Sequence, residues 1–205
     1  MKKKMSLIFN VLIVIFELIG FFVTYKTIGR ISYEYFTEDS NILSFFSSLF
    51  YVIFILLNKK IPKYLKIFKY LSTVCMALTF FVVILILSPM SNYNYVYMLT
   101  KDAMLYQHLI CPVLCMISFV CFDDIGKLTK KDILYSISFT LLYAVVLIIL
   151  NIFDFIKGPY PFLMVKEQSI FMSLIWLILI PGLSYLLAVL LKRCNFKYNK
   201  DIKWN

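Results

Sequence analysis

The sequence predicts an all-α polytopic membrane protein, a single six-helix domain over residues 1–205. Hydrophobic residues make up 62% of the 205-residue chain, whereas soluble domains contain about 45–50%. The excess falls in six runs, each close to or above the roughly 20 residues that a membrane-spanning helix needs. The connections between the runs are short, which leaves no room for a separate soluble domain.

The predicted spans follow one another along the chain at 5–25, 41–57, 70–88, 103–122, 133–150 and 169–191. The first span follows a basic start, as a secretory signal does. Its apolar stretch is too long for a signal, it contains Glu17, and no small-residue cleavage site follows Gly20. We therefore expect this segment to remain as the first span.

The net charge of +10 is distributed unevenly between the two sides of the predicted bundle. With six spans, both termini and the second and fourth connections share one side and hold sixteen of the 21 basic residues, which are Lys2, Lys3, Lys4, Lys59, Lys60, Lys63, Lys66, Lys69, Lys127, Lys130, Lys131, Lys192, Arg193, Lys197, Lys200 and Lys203. The positive-inside rule then predicts a cell (plasma) membrane protein with both termini in the cytoplasm. Membrane lipids are its expected partners, and the charge requires no nucleic acid.

The chain has five cysteines, four in predicted spans and one in the basic tail: Cys75, Cys111, Cys115, Cys121 and Cys194. None lies in an outer connection, so no disulfide framework is expected. His108, Cys111 and Cys115 share one helix face, but a zinc site usually needs four ligands and the chain has one histidine. We therefore expect the cysteines to pack, with no metal and no cofactor.

The fourth span carries the single histidine, His108, and Pro112 four residues later. An ionisable group at membrane depth is costly, and histidine is suited to proton transfer. This span runs inward from Asp102, which places His108 about 9 Å below the outer interface at 1.5 Å per residue. Pro112 cannot donate to the carbonyl of residue 108, which predicts a kink and a free acceptor beside the imidazole. A purely structural histidine beside a proline kink is the alternative.

The second span begins on the same outer side, with Thr37, Ser40 and Asn41 on one helix face. Thr37 followed by two acidic residues has the pattern of a helix N-cap. Helix-start amides can stabilise an oxyanion. The same residues therefore suit either a cap or a catalytic hydroxyl near His108.

Glu17 is a second buried charge, in the first span, with Gly20 and Thr24 on the same face. Its expected partners are His108, Asn41 or a serine of the second span. It either orients the imidazole or only ties two helices together.

Three motifs together resemble a known family. Phe36-Thr37-x-x-Ser40-Asn41, His108-Leu109-x-x-Pro112 and Tyr160-Pro161-Phe162 are similar to those of bacterial members of the androgen-induced gene superfamily, which includes the androgen-dependent TFPI-regulating protein. The resemblance covers about residues 5 to 190 and implies six membrane helices and intramembrane threonine hydrolysis of fatty-acid esters.

By position, the resemblance implies that Thr37 is the nucleophile and His108 the base. Glu38, Asp39 and Ser40 stand where the eukaryotic hydrolases are more apolar, which makes Ser40 a rival nucleophile. The expected substrate is an acyl ester from the outer leaflet, and the second-span amides or Asn41 would hold the oxyanion.

Two other functions remain open: non-enzymatic binding of a lipid or small molecule, and transport. Against transport, the sequence shows no charged path through the membrane, since its polar cluster stops near mid-depth. Possible broken helices at Pro112 and at Pro181-Gly182 favour it.

Overall fold

The computed structural model describes residues 2–30 and 32–199; residues 1, 31 and 200–205, which include Lys200 and Lys203, lie outside that part. Within it the chain is helical and contains no strand. Six helices are long and apolar enough to cross a membrane, which confirms the predicted class. They are α1 (Lys2–Ile28), α2 (Phe36–Leu56), α3 (Lys63–Met90), α5 (Leu105–Phe122), α6 (Lys130–Ile152) and α7 (Ile170–Asn199), and the short α4 (Tyr95–Thr100) lies between α3 and α5.

The connections 29–35, 91–104 and 153–169 lie at one end of the bundle, here called the loop-rich end. The N-terminus of α1, the connections 57–62 and 123–129, and the C-terminal part of α7 form the lysine-rich end. The α3 helix begins at Lys63, ahead of the predicted span 70–88, whereas α2 begins at Phe36, so that Thr37 and Asn41 are helical as the sequence predicted. Their polar first turns remain helical because other elements of the bundle bury part of them.

Lys69 corrects the sequence-based assignment of the inner charges. It lies inside α3, and its side chain is fully buried. Its ammonium group donates to Asn10 Oδ1 and Ser48 Oγ, each at 2.8 Å. Lys69 therefore belongs to the interior of the bundle rather than to a solvated loop.

The central helix is α3, since 67% of its hydrophobic window is buried inside the bundle, compared with 22% for α7. Val74, Leu78 and Val82 of α3 form one apolar cluster with residues of α2, α5, α6 and α7. In lipid, apolar packing alone gives helices little reason to associate, so hydrogen bonds between helices contribute as well. The candidate site lies beside this core, at the loop-rich end.

The α5 helix is wound unevenly, with π-helical turns over Leu105–Ile110 and Ser118–Phe122 around an α-helical Cys111–Ile117. Pro112 is the second residue of the α-helical part. In an α-turn its ring would clash with the carbonyl of residue 108, and the wider turn before it relieves that clash. Where the sequence predicted a kink at Pro112, the structure has a wide helical turn just before the proline, and this turn contains His108.

Candidate active site

Thr37 and His108 face each other at the loop-rich end. Thr37 is the second residue of α2, and its Oγ1 lies 3.4 Å from Nε2 of His108. Both side chains are at least nine-tenths buried. The distance is long for a hydrogen bond, as is common in catalytic sites without a ligand. The hydroxyl and the imidazole are thus within reach of one proton transfer.

A backbone carbonyl sets the tautomer of His108. Nδ1 of the ring lies 2.7 Å from the carbonyl oxygen of Met98 in α4. A carbonyl only accepts, so Nδ1 carries the proton and Nε2 presents its lone pair to Thr37. Of the two roles considered for Glu17, orienting the imidazole does not fit, because the ring nitrogens contact Thr37 and Met98 and neither Glu17 oxygen bonds to the ring. The sequence could not indicate the contact with Met98, because that residue acts through its main-chain carbonyl.

Tyr160 is the third group at the Thr37 hydroxyl. Its own hydroxyl lies 3.4 Å from Thr37 Oγ1 and accepts from the Thr37 N–H, also at 3.4 Å. Phe162 stacks on the Tyr160 ring, with centroids 5.1 Å apart, so its role is to hold that ring. Burial raises the pKa of Tyr160 to about 12, although its contacts with Thr37 lower it. The hydroxyl is therefore protonated at neutral pH and can donate.

The start of α2 is capped by tyrosines rather than by Thr37. The N-cap residue is Tyr35, which makes no side-chain cap. The N–H of Phe36 donates instead to the Tyr143 hydroxyl at 3.1 Å, and that of Thr37 to Tyr160. The predicted cap role of Thr37 is wrong, because these two hydroxyls take the amides. Because the N–H groups of Phe36 and Thr37 already donate to these hydroxyls, the Tyr160 hydroxyl is the remaining hydrogen-bond donor beside the Thr37 side chain.

Ser40 and Asn41 support the Thr37 backbone. Ser40 Oγ donates to the Thr37 carbonyl at 2.9 Å and is also 2.9 Å from Thr79 Oγ1. The Asn41 amide donates to the carbonyls of Thr37 and Gln107, at 2.7 and 3.3 Å. Both side chains are fully buried. Their contacts make Ser40 a weaker nucleophile candidate than Thr37, and the Asn41 amide is not aimed at the Thr37 hydroxyl.

Glu38 is a site residue that the sequence analysis named only as a departure from the family pattern. It is buried, and Gln107 donates to it at 3.1 Å and Thr24 at 3.4 Å. These three residues come from α2, α5 and α1, beside the Thr37–His108 contact. In the sequence Glu38 looks like an ordinary acidic residue of a first helical turn, because Asp39 follows it directly.

The polar interior continues to the lysine-rich end, which corrects the prediction that it stops near mid-depth. Ser44 Oγ of α2 lies 3.0 Å from Cys115 Sγ of α5. Further inward, the buried Lys69 lies 4.0 Å from Asp123, and Asn10 donates to Asp123 at 2.8 Å. Polar groups therefore line the helix interfaces over most of the bundle, with Glu17 among them.

Two cavities meet at Thr37. One is a broad polar vestibule of about 1480 Å³, open at the loop-rich end and lined by residues that include Arg30, Glu38, Lys101, Gln107 and His108. The other is an apolar chamber of about 680 Å³ among α3, α6 and α7. Both volumes include the space at the openings of the cavities. Thr37 and Tyr160 line both cavities, so these two residues lie at a boundary between polar and apolar space.

Comparisons with family models, curated proteins and solved structures find no match to this chain. Among the described residues, no group of three or more His, Cys, Asp or Glu side chains could hold a metal ion. Cys111 and Cys115 are buried free thiols. The chemistry of the site thus has to be argued from its own geometry.

Proposed function

We propose that this protein is an intramembrane threonine hydrolase that cleaves a lipid or fatty-acid ester by acyl transfer to Thr37. One observation carries the proposal: the Nε2 lone pair of His108 faces the Thr37 hydroxyl, 3.4 Å away, while Met98 holds the opposite ring nitrogen. A hydroxyl becomes a competent nucleophile when such a base can take its proton.

The reaction has two steps. His108 Nε2 takes the proton of Thr37 Oγ1 as this oxygen attacks the ester carbonyl carbon, and Tyr160 donates to the oxyanion. The ester C–O bond then breaks, and His108 returns the proton to the departing alcohol. In the second step His108 takes a proton from a water as the water oxygen attacks the acyl carbon. The bond from that carbon to Thr37 Oγ1 then breaks, and His108 gives the proton to Oγ1, which releases the fatty acid and restores Thr37.

We further propose that the protein lies in the cell membrane with both termini in the cytoplasm. The excess of lysine at the lysine-rich end supports this orientation even without the buried Lys69. The vestibule then opens outward, and membrane lipids of the outer leaflet supply the ester.

Covalent labelling with a fluorophosphonate tests the nucleophile. In purified protein we expect the label on Thr37, loss of labelling in Thr37→Ala, and a drop of about a hundred-fold or more in His108→Ala, the size expected for a lost general base. Ser40→Ala is the control for the neighbouring hydroxyl and should keep the label. Labelling that survives in Thr37→Ala and disappears in Ser40→Ala would instead identify Ser40.

Transport is the second candidate, and the polar interior from Glu38 to Asp123 favours it. Glu17 lies along this interior without a hydrogen-bond partner. Absence of fluorophosphonate labelling, together with solute uptake in proteoliposomes that Glu17→Gln abolishes, would support transport over hydrolysis.

A further inference from the structure

We propose that the apolar chamber is the acyl-binding site, so that the ester lies across the boundary between the two cavities. The acyl chain occupies the chamber, and the polar alcohol part occupies the vestibule. This inference rests on the proposed function and deepens it, since it assigns each half of the substrate to a place. It identifies the substrate as an acyl ester of a polar alcohol, with an acyl chain no longer than the chamber.

The lining of the chamber is suited to a hydrocarbon chain. Its wall consists mainly of apolar side chains from three helices, including Leu78, Val82, Ala144, Ile148, Trp176 and Ile180. The polar groups on it are largely committed elsewhere: Thr140 is 3.3 Å from Ser184, and Thr79 pairs with Ser40. An apolar ligand would therefore leave few polar groups unsatisfied, whereas a polar one would find few partners.

The length of the chamber limits the acyl chain to medium length. Along α6 the lining runs from Ile148 to Thr140, and eight residues of helix correspond to about 12 Å. The Thr140–Ser184 contact joins α6 to α7 at the inner end of the chamber. Thr37 and Tyr160 are also part of the lining. A chain bound along this length would present its carboxyl carbon to Thr37.

The side of the chamber reaches the lipid-facing surface. Leu177 of α7 lines the chamber, yet it is 41% exposed on the outside of the bundle. The chamber therefore borders the lipid-facing surface along α7, and we infer that the acyl chain enters from that side. The alcohol would leave through the vestibule, which carries charges of both signs, such as Arg30 and Glu38.

The vestibule is unsuited to the acyl chain. Its lining contains Glu34, Lys101 and Asp102 in addition to the site residues. Placing a hydrocarbon against these groups would remove water from charges without a compensating contact. An ester bound the other way round, with its acyl chain in the vestibule and its alcohol part in the chamber, is therefore disfavoured in both cavities.

Chain-length selectivity tests the assignment. Ala144 is the smallest side chain on the chamber wall, so Ala144→Phe adds a ring where the chain would lie. Val145→Phe adds a ring next to it on a side chain that is 54% exposed, and is the matched control. The measurement is kcat/KM in nanodiscs for p-nitrophenyl acetate and p-nitrophenyl decanoate.

We expect Ala144→Phe to lower kcat/KM for the decanoate by about ten-fold or more, with the acetate value preserved, because each excluded methylene loses its pocket contacts. Val145→Phe should behave as wild type toward both esters. An equal loss toward both esters in Ala144→Phe, with a folded protein by size-exclusion chromatography, would overturn the assignment.

A photoreactive diazirine fatty acid separates this proposal from the hydrolase proposal. Cross-links should fall on α6 and α7 residues of the chamber, persist in Thr37→Ala and decrease in Ala144→Phe. Cross-linking in the chamber without any ester hydrolysis by wild type would refute the hydrolase alone. Hydrolysis with cross-links only in the vestibule would refute the acyl site alone.

Discussion

At the scale of single residues, the site depends on which atoms hold the His108 ring. The Met98 carbonyl fixes one nitrogen and leaves the other facing Thr37. Tyr160 completes the group, because it is held by Phe162 and retains its proton at neutral pH. A hydroxyl, a base and a neutral donor within hydrogen-bond range are the minimal parts of an acyl-transfer centre.

Tyr160→Phe is predicted to slow fluorophosphonate labelling and ester hydrolysis by about a hundred-fold, the usual effect of losing one oxyanion donor. Tyr143→Phe is the matched comparison, since it also removes a hydroxyl that accepts from a first-turn N–H of α2. Its effect should be far smaller, because its hydroxyl is not at Thr37. Equal losses in both variants would mean that Tyr160 acts only as a cap.

At the scale of elements, the positions of Thr37 and His108 depend on two irregular features. The start of α2 has no side-chain cap of its own, and α5 has a π-helical turn. The first amides of α2 are satisfied by tyrosines from α6 and the following loop, so Thr37 Oγ1 is not used as a cap. The π-helical turn of α5 sets the direction of His108. Such turns are often found at functional sites.

Pro112→Ala tests the role of this turn. Alanine restores the missing N–H donor and removes the ring, so the turn before it can rewind as α-helix and rotate His108 away from Thr37. We expect loss of labelling with unchanged helix content by circular dichroism. Val113→Ala, one residue further on, is the control. Full labelling in Pro112→Ala would show that the turn does not depend on the proline.

At the scale of the whole molecule, buried polar groups tie the helices together toward the lysine-rich end. Lys69 of α3 donates to Asn10 of α1 and to Ser48 of α2, and Asn10 in turn donates to Asp123, which follows α5. Breaking a buried pair leaves an uncompensated charge, which costs far more than breaking an exposed one. This cluster should therefore contribute strongly to the stability of the bundle.

Lys69→Met should lower the free energy of unfolding by about 3 kcal/mol or more, measured by denaturant titration in micelles, since Asp123 would stay buried without its counter-charge. Lys66→Met breaks the more exposed pair with Asp124, 2.7 Å long, and should cost about 1 kcal/mol or less. Lys69→Met combined with Asp123→Asn should recover part of the loss. No recovery would argue against coupling between the two charges.

The site was predictable in part. Thr37, His108 and Tyr160 stand out in the sequence, because a hydroxyl, a histidine and an aromatic-proline motif fall on one side of the predicted spans. Met98, Tyr143 and Glu38 did not stand out. The first acts through its carbonyl, the second is one of 15 tyrosines, and the third resembles an ordinary helix-start acid.

Hydropathy by itself determined the helical class and the six spans, because a helix that crosses lipid must satisfy its own backbone with a long apolar segment. Only the tertiary structure decided that Thr37 meets His108, that Lys69 is an interior group and that two unlike cavities share one boundary. These outcomes depend on how each helix is rotated and wound against its neighbours, and single-helix patterns do not specify that rotation.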